Sequence, residues 1–236
     1  MTSMARQIRI FDSPPLLFDS AANEFISIHP QTVALSGGST PKALYSLLAT
    51  RKLSWDQIHF FFGDERHVPP TDSESNYKMA NEALLSKAPI PPQNVFRVPA
   101  ENPDADAAAL TYENTIRDFF HLKPGAFPDF DLILLGLGPD GHTASLFPGS
   151  KALEEKNRIF VSNPVQKFKT DRLTLTYPVL NNAANVIFMA TGEEKAPVVK
   201  DILENPASTL PAAQVRPASG RLLWLLDRAA ASQLSR

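Results

Sequence analysis

Residues 129–149 hold the feature that most limits what this chain can fold into. The run Leu132–Leu135 is apolar on both faces and breaks directly into a glycine-rich turn. A short run without polar alternation is the pattern of a strand buried on both faces, as in parallel sheets covered by helices. The turn then lies beyond the carboxyl end of that strand, where open α/β sheets take their ligands. It carries one acid, Asp140, and one imidazole, His142. Histidine moves protons near neutral pH because an unperturbed imidazole titrates at about 6.5.

The rest of the chain repeats this alternation. Strands are expected at Gln7–Phe11, Thr32–Leu35, Ile58–Phe62, Phe130–Leu135, Arg158–Ser162, Arg172–Thr176, Val186–Thr191 and Arg221–Leu226. Helical patterns fall at Pro15–Ile28, from Pro41 to about Thr50, and at Ser75–Ser86, Ala105–Phe120 and Glu194–Leu203. Strand and helix in turn, with buried strands, predict an α/β protein whose sheet is parallel or mostly parallel and covered on both faces. The 21 prolines cluster between elements, so residues 1–236 read as a single domain.

Composition removes several chemistries. A net charge of −2 gives no reason to expect nucleic acid or an anionic membrane as partner. With no cysteine, disulfides, thiolate catalysis and cysteine-ligated zinc are excluded. The five histidines (29, 59, 67, 121 and 142) include no pair at helical metal-binding spacing. No signal pattern and no run of about 20 apolar residues is present. The expectation is a soluble, cytoplasmic protein.

Four loop regions carry polar chemistry. Ser36-Gly37-Gly38-Ser39-Thr40-Pro41 joins a strand to a helix, where unpaired N–H groups suit a phosphate. A capped helix behind a flexible turn reads the same way, and no Gly-Lys-Ser/Thr follows to make a nucleotide loop. Gly63-Asp64-Glu65-Arg66-His67-Val68-Pro69-Pro70 follows three phenylalanines. Alone it reads as a solvated loop with ion pairs worth about 1 kcal/mol or less, with His67 in a surface turn. In the third loop, Asp140 is placed to orient His142 or accept its N–H; the plainer reading is a capping aspartate beside a backbone-satisfied histidine. The fourth group is basic. Arg172 opens a strand, and Lys195 starts a helix, where the dipole disfavours a cation unless an anion is near; on its own it reads as a stem reaching solvent.

Together these segments resemble the 6-phosphogluconolactonase family. The matching stretches are Ala34–Pro41, Gly63–Pro69 with Ser75-Asn76, Gly136–Gly149, Arg172-Leu173-Thr174, and Thr191-Gly192 with Lys195-Ala196. Leu210–Ala213 and Trp224 with Asp227 match the family's ending. The match runs nearly the full chain in one order, and no motif position departs from the family pattern.

The resemblance implies a Rossmann-like, three-layer α/β/α fold shared with glucosamine-6-phosphate deaminase and ribose-5-phosphate isomerase. It implies opening of 6-phospho-D-glucono-1,5-lactone by water, in the oxidative pentose phosphate pathway, without metal or organic cofactor. His142 then matches the general base, with Asp140 and Asp64 in support. Ser39, Thr40, Arg172 and Lys195 match positions around the sugar phosphate. The chemistry adds Gly38 to that anchor and expects Arg66 or the glycine-rich backbone to bind substrate as donor to the oxyanion. The partner expected is a small phosphorylated sugar lactone, met by a monomer.

Two rivals remain in view. Deaminases on this fold carry a glutamate five residues beyond the loop histidine, where this chain has Phe147. A sugar-phosphate sensor would use the phosphate loops without needing a base.

Overall fold

The computed structural model describes residues 6–165 and 170–235. The chain runs β1 (Gln7–Phe11), α1 (Pro14–Ile28), β2 (Thr32–Leu35), α2 (Ser39–Leu48), β3 (His59–Phe62) and β4 (Asp64–Arg66). It continues through α3 (Asn76–Ala80), α4 (Ala105–Phe119), β5 (Leu132–Gly136), β6 (Phe160–Val165) and β7 (Thr170–Leu175). Last come α5 (Tyr177–Leu180), β8 (Asn185–Ala190), α6 (Ala196–Glu204) and β9 (Arg221–Asp227).

A six-stranded, wholly parallel sheet has the order β1-β9-β8-β5-β2-β3. Its inner strands are apolar on both faces because helices cover both, giving the three-layer α/β/α arrangement. Every residue of β2, and Leu132–Leu135 of β5, is buried. Edge strand β1 is largely exposed. Aromatic contacts knit the core: Phe188 stacks on Trp224 at 4.0 Å between centroids, and Phe61 on Phe96 at 4.6 Å. Among the described residues no helix is long and apolar enough to cross a membrane.

The topology decides where a ligand goes. β2 passes through α2 to β3 on one side, while its neighbour β5 leads on to β8 on the other. The two connections diverge, so the carboxyl ends of β2 and β5 flank a crevice at a topological switch point.

Several expectations need correction. Asp64–Arg66 is not a solvated surface loop but strand β4, and the strands expected at Arg158–Ser162 and Arg172–Thr176 lie outside the parallel sheet. β4, β7 and β6 form a separate antiparallel sheet. The hinge is Gly63, whose N–H still bonds Leu35 O in the parallel sheet while its carbonyl accepts from Leu175 N. Asp64 and Glu65 are buried despite their charge because hydrogen bonds satisfy both side chains. The single helix expected at Ser75–Ser86 is α3 running into a wider π turn at Asn81–Leu85. The last helix starts at Ala196, after a short 3-10 turn over Glu193–Lys195.

Candidate active site

Parallel strands end along one edge of their sheet, so the loops after β2, β3, β5 and β8 converge there. They enclose a cleft of about 520 Å³ lined by Gly38, Ser39, Thr40, Asp64, Arg66, His142, Arg172 and Lys195, among others. Asp140 sits behind His142 and completes the set. His67 lies elsewhere, its Nε2 2.6 Å from the carbonyl of Asn102 and its Nδ1 3.9 Å from Asp171.

The β2 end is pinned by Tyr45, whose buried hydroxyl accepts the Ser36 N–H at 2.8 Å and donates to the Ser36 carbonyl at 2.9 Å. Beyond it a Cβ on Gly37 would sit 1.9 Å from Asn76 Oδ1, so only glycine lets the two loops touch. Gly38, at φ 106°, is the N-cap of α2, and no side chain caps that helix. Its first N–H groups and positive dipole end therefore face the cleft. Thr40 Oγ1 is 3.0 Å from Thr191 Oγ1, tying this loop to the one after β8.

β4 supplies the opposite wall. Arg66 stands opposite Arg172 in the β4–β7 register, and both reach the cleft. Burial, then the charge of Arg66, lowers the pKa of Arg172, opposed by Asp64, Glu74 and Glu65. Two guanidiniums from paired strand positions, with Lys195 lining the same cleft, suit an anionic ligand. Lys195 Nζ is 3.8 Å from Glu194 Oε1.

The β5 loop places the imidazole. Gly138 N–H bonds the His142 carbonyl at 2.9 Å, and a Cβ on Gly138 would strike the His142 ring at 2.0 Å. The His142 ring lies against Phe147, with centroids 4.3 Å apart. Its Nδ1 is 2.5 Å from Asp140 Oδ1. Burial alone would raise the Asp140 carboxyl, but the hydrogen bond and charge of His142 outweigh it and hold it below the usual carboxylate range. An ionised carboxylate only accepts, so Nδ1 is the donor to Asp140, and in the neutral imidazole Nε2 is then the nitrogen that bears the lone pair. Asp64 does not reach the imidazole in this arrangement; its Oδ2 accepts from Ser145 Oγ at 2.7 Å, steadying the loop that bears His142.

Several supporting residues had no assigned role at the level of sequence. Glu65 is buried and accepts the N–H groups of Asn76 and Tyr77 at 2.7 and 2.8 Å and the Ser75 hydroxyl at 3.1 Å. It thereby caps α3, although burial pushes its carboxyl pKa up against the pull of these donors. Ser145 is held again by Thr174 Oγ1, which accepts its N–H, and by Asn163, whose amide donates to its carbonyl. Ser145 and Asn76 belong to the quoted motifs, but only the fold reveals their partners. Among the described residues no group of three or more metal-ligating side chains comes together.

Comparison with known proteins agrees with this geometry. Residues 17–224 match the model of the family described as glucosamine-6-phosphate isomerases/6-phosphogluconolactonase. A 6-phosphogluconolactonase of Nostoc sp. is 44% identical over 206 residues, covering 86% of this chain and 85% of that protein. The Rattus norvegicus 6-phosphogluconolactonase is 49% identical over 175 residues, 74% of this chain and 67% of that one. The solved 6-phosphogluconolactonase of Trypanosoma cruzi superposes with a TM-score of 0.89 at 35% identity, over 100% of this chain and 99% of the other. A monomeric glucosamine-6-phosphate deaminase, at 22% identity and a TM-score of 0.79, shares the fold alone. By sequence and by structure, this chain belongs to the glucosamine-6-phosphate isomerase/6-phosphogluconolactonase family.

Proposed function

We propose that this protein hydrolyses 6-phospho-D-glucono-1,5-lactone to 6-phospho-D-gluconate, with His142 as general base. The observation that carries the reading is the Asp140–His142 pair facing an uncapped helix end across one cleft. The phosphate sits at Gly38, Ser39 and Thr40, with Lys195 and the guanidinium pair drawing in its charge. That anchor holds the lactone carbonyl carbon near Nε2.

Nε2 takes a proton from water as the water oxygen bonds to the carbonyl carbon. The carbonyl oxygen becomes an oxyanion, for which Arg66 and the glycine-rich backbone offer donors. When the carbonyl re-forms, the bond to the ring oxygen breaks, and the imidazolium returns its proton to that oxygen. Asp140 keeps the ring in the right tautomer and stabilises the imidazolium.

Relatives bearing the 6-phosphogluconolactonase name support this substrate over an amino sugar. So does Phe147, an apolar ring against the imidazole where a relay would need an acid. The same reading takes the protein as a cytoplasmic monomer, for which a solution mass near 25.9 kDa is expected.

The test follows acid release from freshly made 6-phosphogluconolactone, against spontaneous hydrolysis, and ammonia release from glucosamine 6-phosphate. Catalysed acid release without ammonia is expected. Robust ammonia release, or acid release no faster than the spontaneous rate, overturns the assignment.

A further inference from the structure

Strand β9 contributes no residue to the cleft, yet its last residue, Asp227, is buried and bonded to a loop that does. Both Asp227 carboxylate oxygens lie 3.2 Å from the N–H nitrogen of Gly192, and Oδ1 also accepts the Ala230 N–H at 2.7 Å. Gly192 opens the turn that delivers Lys195. Its φ is 98°, and its carbonyl accepts the Lys195 N–H at 3.1 Å. One residue earlier, Thr191 is tied to Thr40. The β8 loop is therefore held at two points, one on the α2 loop and one on β9.

We propose that Asp227 is a positioning residue for Lys195, fixing the Gly192 turn so that the ammonium is presented to the substrate's phosphate. Asp227 does this from outside the cleft, without touching substrate. The inference rests on Lys195 being a phosphate contact. A bond to a carboxylate holds a backbone turn more firmly than one to a neutral acceptor, and glycine, which populates positive and negative φ about equally, does not by itself fix the turn at φ 98°.

The test compares kinetics on 6-phosphogluconolactone and on unphosphorylated glucono-1,5-lactone for Lys195→Ala, Asp227→Ala and the double variant. Each single change should raise KM for the phosphorylated lactone about tenfold and leave kcat within about twofold. kcat/KM for the unphosphorylated lactone should not move. Because Asp227 acts through Lys195, the double variant should be no worse than Lys195→Ala. Gly192→Ala disturbs the same turn from its other end and should reproduce the Asp227 effect. It decides the question if Asp227→Ala fails to fold for want of the Ala230 bond.

Additive losses in the double variant, equal losses on both lactones, or an unchanged KM in folded Asp227→Ala and Gly192→Ala overturn the positioning role. If instead Lys195→Ala leaves KM unchanged, the phosphate contact itself fails and the positioning role falls with it.

Discussion

Two helices begin beside the same cleft, and their first turns are treated in opposite ways. At α3 the protein fills the end itself: Glu65 takes the N–H groups of Asn76 and Tyr77, and Ser75 takes that of Lys78. At α2 the N-cap is Gly38, no side chain caps the helix, and its first turn holds no acid. α1 also lacks a side-chain cap, but it opens on Pro14 and Pro15, which have no N–H to satisfy. A filled helix end is a structural joint. An open one, in a cleft also lined by Arg66, Arg172 and Lys195, suits an anion.

The same division is proposed at the imidazole, where Asp140 occupies Nδ1 and Nε2 is the atom assigned to proton transfer. Breaking it should have the largest effect. In Asp140→Asn the amide can donate to Nδ1 and drive the proton onto Nε2, so kcat should fall about 10³-fold, read by steady-state acid release. Unfolding at varied pH gives the matching sign. His142 holds the Asp140 pKa below 3.8, so the wild-type advantage over Asp140→Asn should be full above that value. It should fade as pH falls through the lower, folded value.

Closing the open helix end comes next. Ser39→Asp puts a carboxylate at the proposed phosphate position, and KM for the phosphorylated lactone should rise about a hundredfold. Thermal stability should hold or increase, because an acid in the first turn favours the helix. Opening the filled end should do the reverse. Glu65→Ala strands buried donors and should cost about 3 kcal/mol in denaturant unfolding. Removing the Asp104 cap of α4, far from this contrast, should cost only about 1 kcal/mol and leave kinetics unchanged.

The part of this arrangement visible in the sequence is the part written in local pattern. Strands β2 and β5 are legible because both faces are apolar, and the glycine turns after them because few other residues take such bends. Strand β4 is not, since Asp64-Glu65-Arg66 has the composition of a solvated loop. Its strand character comes from pairing with β7, about a hundred residues later, and from donors on α3. His142 and Asp140 are two residues apart, so their partnership can be read locally. Asp64 and Ser145 are 81 apart, and the role of Asp64 as a brace for the loop appears only in three dimensions.

The most direct measurement is the kinetics of His142→Ala on fresh 6-phosphogluconolactone, corrected for spontaneous hydrolysis. With the phosphate held at α2 and the proton moved at Nε2, kcat should fall about 10²–10⁴-fold while KM stays close to wild type. Unchanged turnover, or a loss confined to KM, would contradict the division between an open helix end that binds and a histidine that reacts.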